Sequence, residues 1–236
     1  MSEKKVAILQ SNYIPWKGYF DIIASVDEFI IYDEMQYTKN DWRNRNKIKT
    51  ANGTQWLSIP VKTKGHISNF VRIMDAEVVD SKWTTSHWNT LIQNYRNAAC
   101  FKGYSDLFER LYCECKEETK LCQINYKFLF AILQILGIST KITFSQDYGL
   151  IEGKTERLVD LVRKAGGTEY ISGPAAKDYI DGTLFDEAGI KLTWMDYSGY
   201  PEYPQLHPPF EHGVSILDLI FNCGADAPRY MKGFAG

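Results

Sequence analysis

Lys5-Val6-Ala7-Ile8-Leu9-Gln10 is a short, almost unbroken apolar run closed by an amide, and Glu28-Phe29-Ile30-Ile31-Tyr32 repeats the pattern further on. Such runs fit strands covered on both faces, where alternation is lost because neither side meets water. Between them, Pro15 disfavours the helical region for Ile14, so Ser11 to Lys17 reads as a loop and Gly18 to Ser25 as a short helix. Strand, tight loop, helix and strand in so short a span make the βαβ unit of a parallel sheet. The expected fold is therefore α/β, a three-layer, mainly parallel, Rossmann-like sheet.

Outward from this unit, Trp56-Leu57-Ser58-Ile59-Pro60-Val61 reads as a strand, and Asn52-Gly53 as a turn able to close a hairpin before it. Helix signals cover residues 84–95 and 104–136, with a break in the charged run Glu114 to Lys120, so a helical cap or insert is expected at about 81–137. Its last helix is apolar almost all round and ends at Gly137. Lys141 to Phe144 returns to strand, Thr155 to Ala165 is an amphipathic helix ending at Gly166-Gly167, and Glu169-Tyr170-Ile171 leads to Ser172-Gly173. Ser215 to Asp218 carries an N-terminal capping signature for a final helix. One domain spanning 1–236 is expected.

The 236 residues are 44% apolar, 24% charged and 14% aromatic, enough for a sizeable core and unlike a disordered chain. A formal net charge of -2 argues against coating nucleic acid or an anionic membrane by bulk charge, so any anion site must be local. No run approaches the roughly 20 apolar residues of a membrane span, and the first residues run straight into a strand, so no leader, anchor or membrane contact is expected and the cytoplasm is the expected location. Five cysteines without paired Cys-x-x-Cys spacing read as reduced thiols, and none of the four histidines has ligand spacing, so no metal site is expected. Gly-x-Ser-x-Gly, Walker and Gly-x-Gly-x-x-Gly motifs are absent, which removes the usual support for serine hydrolase, P-loop and dinucleotide readings.

In open parallel sheets ligands sit beyond the carboxyl ends of the strands. Those ends here are polar: Gln10-Ser11-Asn12-Tyr13, Asp33 through Gln36, and Ser172-Gly173-Pro174. The segment Tyr37 to Lys49 carries five basic residues, one acid and two aromatic rings among asparagines. A charge run is ordinarily a solvated face, but a solvated face needs no interleaved rings and amides. Arg43, Arg45 and Lys39 would hold phosphate or carboxylate oxygens, Trp42 or Tyr37 would stack on a base or sugar, and Asn44 lies between the two arginines. Lys17 and Tyr19 flank Gly18 at the start of the first helix, where free backbone N–H groups favour an anion. The loop is similar in layout to that of nucleotidyltransferases and pantothenate-synthetase-like ligases. Tyr19 stands where their second histidine would be, however, and no histidine precedes Gly18. His87 is a first candidate for a general base because imidazole exchanges a proton near neutral pH, and a helical histidine beside Trp88 is also an ordinary packing residue.

Together, Leu9 to Phe20, Gln36-Tyr37-Thr38-Lys39 with Trp42 to Asn46, Gly53 with Trp56-Leu57, Tyr170 to Gly173 and Ser215 to Asp218 resemble the WbqC-like family nearly end to end. The resemblance implies a role in bacterial O-antigen or other surface-polysaccharide pathways, with attachment of glycine or another acyl unit to an amino sugar. The expected activity is N-acyl or aminoacyl transfer to a nucleotide-linked amino sugar such as a dTDP-4-amino-4,6-dideoxyhexose. Asp33 or His87 would take the amine's proton. ATP would suit as acyl-activating cosubstrate, and an aminoacyl-tRNA or coenzyme A thioester as alternative donor. A sugar-nucleotide binding or scaffold protein without turnover, and a nucleotidyltransferase, are the competing readings. Homo-oligomerisation is left open.

Overall fold

A computed structural model describes residues 3–62 and 71–234. It is a mixed α/β structure with a five-stranded parallel sheet, a separate two-stranded hairpin and, among the described residues, seven α-helices. The sheet strands are β1 (Lys5–Leu9), β2 (Glu28–Ile31), β5 (Lys141–Phe144), β6 (Glu169–Ser172) and β7 (Lys191–Trp194), in the order β5-β2-β1-β6-β7. Every neighbouring pair is parallel. The order grows one way from β1 through β2 to β5 and then jumps to the other side for β6 and β7. The topological switch point at the carboxyl edge, where open parallel sheets commonly bind ligands, therefore falls between β1 and β6.

The unbroken apolar runs arise because both faces of these strands are covered. Ala7, Phe29, Ile31 and Ile171 join the larger core. Their neighbours Val6, Ile8, Ile30, Tyr32 and Tyr170 turn to a smaller core with Leu158, Leu161 and Val162 of α5 (Thr155–Lys164). Each fully buried Ile or Phe contributes about 2 kcal/mol relative to exposure. The larger core also holds α1 (Lys17–Ala24), α2 (Lys82–Tyr95), α3 (Phe101–Glu114), α4 (Leu121–Leu136) and α7 (Ile216–Cys223). The break between α3 and α4 lies in the charged run expected to contain it, and Gly137 ends α4 with a left-handed φ of 68°. Ser215 caps α7, its side chain accepting from the Leu217 N–H.

Four elements depart from the sequence expectation. The strand expected from Trp56 is β4 (Gly53–Ser58), and its antiparallel partner β3 (Arg45–Thr50) begins within the cationic segment. The short helix α6 (Gly182–Glu187) and the edge strand β7, which extends the sheet, were not expected from the sequence.

Candidate functional site

Register fixes where the strand ends meet. Leu9 pairs with Ile31 and Ala7 with Ile171, so the chain leaves β1 at Gln10, β2 at Tyr32 and β6 at Gly173 along one edge. The loop after β1 is then laced to the cationic segment. Tyr13 N–H donates to the Trp42 carbonyl at 3.0 Å, and Arg43 Nη2 donates to Gln10 Oε1 at 3.0 Å. Arg43 Nη1 donates to Asn12 Oδ1. Asn125, fully buried in α4, donates from Nδ2 to the Arg43 carbonyl at 3.0 Å and to Ser11 Oγ at 3.1 Å. Two side-chain amides and a clamped backbone thus aim the guanidinium, whose five N–H groups leave donors free beyond these bonds. Tyr19 closes the loop by donating to the Gln10 carbonyl at 3.0 Å. Burial raises the Tyr19 phenol's pKa, the nearby Asp33 charge raises it further, and Arg43 opposes both.

Asp33 lies beneath this loop, 1% exposed. Its Oδ1 accepts from Ser11 N–H and its Oδ2 from Tyr126 Oη, both at 2.8 Å. Burial pushes its pKa up, while the bonds from Ser11 and Tyr126 and the Arg43 charge pull it down. Oδ1 therefore holds the Ser11 turn in place, while Oδ2 is tied to α4 through Tyr126. His87 is also interior: its Nδ1 lies 2.9 Å from the hydroxyl of fully buried Tyr13, which in turn meets Tyr112 Oη at 2.7 Å. Trp83 packs edge-on to the imidazole. Burial lowers the His87 pKa to about 4, so the ring is neutral at pH 7.

Next to Arg43 in the chain, Trp42 joins Trp56 in an aromatic platform. Trp42 and Trp56 are 45% and 40% exposed, with ring centroids 5.4 Å apart. The Arg45 guanidinium lies 4.2 Å from the Trp56 centroid and Lys47 Nζ 5.1 Å from it. Arg45 Nε has no partner. Such rings offer faces to a base or sugar, and the cations beside them offer charge to an anion.

The remaining expected residues fall in three places. Lys39 and Gln36 are exposed, Gln36 bridging to Arg72, and Tyr37 is half-buried, its N–H on the Val71 carbonyl at 2.7 Å. Burial raises the Tyr37 phenol's pKa to about 12. Asn44 is structural, closing the base of the β3–β4 hairpin through Nδ2 to the Ile59 carbonyl at 2.8 Å. Ser172 is buried at the end of β6, and Gly173 follows with an ordinary φ of -71°. A Cβ there would meet only Tyr197 Oη, at 3.8 Å. Lys17 turns elsewhere: its Nζ lies 3.4 Å from the Pro201 carbonyl and 4.5 Å over the Tyr200 ring. Burial lowers its pKa to about 8 against the pull of Asp21.

Sequence reading missed four contributors. Trp56 completes the platform, and Asn125 and Tyr126 position Arg43 and Asp33. Tyr179, 63% exposed, is close enough to Arg43 for the guanidinium charge to act on its phenol. The available signal was an asparagine among the apolar residues of a largely apolar helix, since a buried amide must find partners. Among the described residues, no group of three His, Cys, Asp or Glu side chains gathers as a metal site. No helix of those residues is long and apolar enough to cross a membrane.

A five-stranded parallel sheet, with a guanidinium held by two amides from the loop after its first strand, defines a mixed α/β protein. The chain belongs to the WbqC-like protein family, whose model matches residues 10–230. It is 52% identical over 229 residues to "Uncharacterized protein Rv1507c" of Mycobacterium tuberculosis (strain ATCC 25618 / H37Rv), covering 97% of this chain and 98% of that protein. No solved structure gives a significant match.

Proposed function

We propose that this protein is a cytoplasmic N-acyl or aminoacyl transferase acting on a nucleotide-linked amino sugar for surface-polysaccharide synthesis. In this reading the fold is a single three-layer, Rossmann-like domain with α2 to α4 as its insert. One observation carries the proposal: Gln10 and Asn12, in the loop that leaves β1 at the switch point, hold the Arg43 guanidinium, and the preceding residue Trp42 pairs with Trp56 in an exposed platform. Arg43, with Arg45 and Lys39, holds the diphosphate, and an indole stacks on the base. The sugar amine attacks the carbonyl carbon of an activated acyl donor, the C–N bond forms, the bond to the leaving group breaks, and the amine's proton passes to water or to that leaving group. ATP serves as activating cosubstrate if the donor is a free amino acid. Burial favours positioning roles for Asp33, through the Ser11 turn, and for His87, through Tyr13.

A second reading, binding without turnover, is favoured by the same burial, because it leaves both expected proton acceptors enclosed. Nucleotide amino sugars incubated with protein, glycine and ATP, or with other donors, separate the readings by mass spectrometry. An acyl mass increment supports transfer, whereas binding without a product supports the second reading. Pyrophosphate release with a sugar phosphate would instead indicate nucleotidyl transfer. Arg43→Ala should weaken nucleotide-sugar binding by about 2 kcal/mol by calorimetry, with the circular dichroism of the fold retained. Unchanged affinity would reduce the segment to a solvated face.

A further inference from the structure

We infer that a second ligand site lies across the sheet edge from the Arg43 site, in a cleft built for a phosphorylated aromatic group such as an adenine nucleotide carries. The inference extends the reading above and rests on its own residues. A cleft of about 480 Å³ opens beyond the end of β5, between Phe144, Met74 and the outer face of α4. Small-molecule sites are typically clefts of about 300–1,000 Å³ with apolar walls and a few polar groups.

Its walls are aromatic beyond what the core requires. Ile124, Phe128, Leu129 and Ile132 carry the buried face of α4. Phe130 instead stands 40% exposed in the cleft. Tyr126 lies one turn earlier on that face and meets Phe144 edge-on, with centroids 5.2 Å apart. The bond from Tyr126 Oη to Asp33, at 2.8 Å, fixes this wall before any ligand arrives, which lowers the ordering cost of binding.

Two lysines among the polar lining residues, Lys120 and Lys127, supply positive charge, beside the amides Gln123 and Gln146 and the acid Asp147. Lys120 Nζ is 2.9 Å from Glu77 and 3.3 Å from the Asp75 carbonyl, and Lys127 Nζ is 4.0 Å from Glu118 and 3.4 Å from the Glu114 carbonyl. Half-buried surface contacts of this length hold little energy, so either amine can turn to a phosphate. The carboxylate, Asp147, is engaged by the Phe144 N–H at 3.1 Å. An aromatic ring between Phe130 and Phe144, with its anion toward the two lysines, satisfies both halves of the cleft.

Calorimetric titration of the full chain with 1-naphthyl phosphate tests this, with inorganic phosphate and 1-naphthol as separate arms. Saturable binding is expected, weakened about five- to tenfold in Phe130→Ala and several-fold in Lys127→Ala, and unchanged in Arg43→Ala and Trp42→Ala. Competition distinguishes the sources: displacement by ATP identifies a nucleotide, and displacement by coenzyme A but not ATP identifies a thioester donor. The site is overturned if inorganic phosphate binds as tightly as the naphthyl ester. It is equally overturned if the ester is displaced by neither competitor, or if its binding is lost in Arg43→Ala yet intact in Phe130→Ala.

Discussion

A charge can be read from sequence more easily than its surroundings, and His87 illustrates the difference. Its position beside tryptophan was compatible with catalysis or packing, and burial against Tyr13 and Trp83 supplies the packing. Burial also makes the residue a source of acid sensitivity. The folded pKa, lowered to about 4, lies below the ordinary histidine value, so the unfolded chain binds the proton first as pH falls. Stability from this group is complete above about pH 6.5 and lost as pH falls toward 4, with about 2 kcal/mol gone by pH 5. Denaturant titrations at pH 7.5 and pH 5 should show that loss in the wild type and little of it in His87→Gln. An equal loss in both would assign the sensitivity to other groups. Arg43 was legible as a candidate anion contact, but its holders were not. Gln10 and Asn12 are 33 and 31 residues away in sequence, and only the closed loop brings them to it.

At the scale of elements, legibility followed the hydrophobic pattern. Strands β1 and β2 were plain because both faces are buried in apolar cores. Strand β3 was hidden because its inward positions are partly polar: Asn46 donates to the Tyr13 and Ile14 carbonyls at 3.2 and 2.9 Å, so no apolar alternation marks it. Strand β7 is a four-residue edge strand without a buried side chain, which weakens the same signal. The end of α4 was legible through glycine alone. Gly137 adopts φ 68°, and a Cβ there would meet nothing within 4 Å, so a side chain would add conformational strain without a clash. Gly137→Ala should therefore cost about 1 kcal/mol in equilibrium unfolding, and Gly137→Asn less, because asparagine tolerates the left-handed region. Equal losses for the two variants would point to a cause other than backbone conformation.

The whole molecule combines a rigid sheet with a site assembled from distant segments, so ligand binding and global stability are linked. Residues 10–12 follow the first strand, residues 42–45 lead into the hairpin, and Asn125 joins them from the helices. This constellation exists only when the chain is folded, and a ligand that needs it stabilises the native state by mass action. A nucleoside-diphosphate amino sugar at about 100 times its Kd should raise the unfolding free energy of the wild type by about 2.7 kcal/mol. A loss of about 2 kcal/mol in Arg43→Ala weakens binding roughly thirtyfold. At the same ligand concentration that variant should gain only about 0.9 kcal/mol. Urea titrations with and without ligand measure both gains, and an unchanged slope would indicate that compactness is preserved. Equal stabilisation of wild type and Arg43→Ala would mean that the ligand binds without the guanidinium, and the strand-end site would lose its claim to the phosphate.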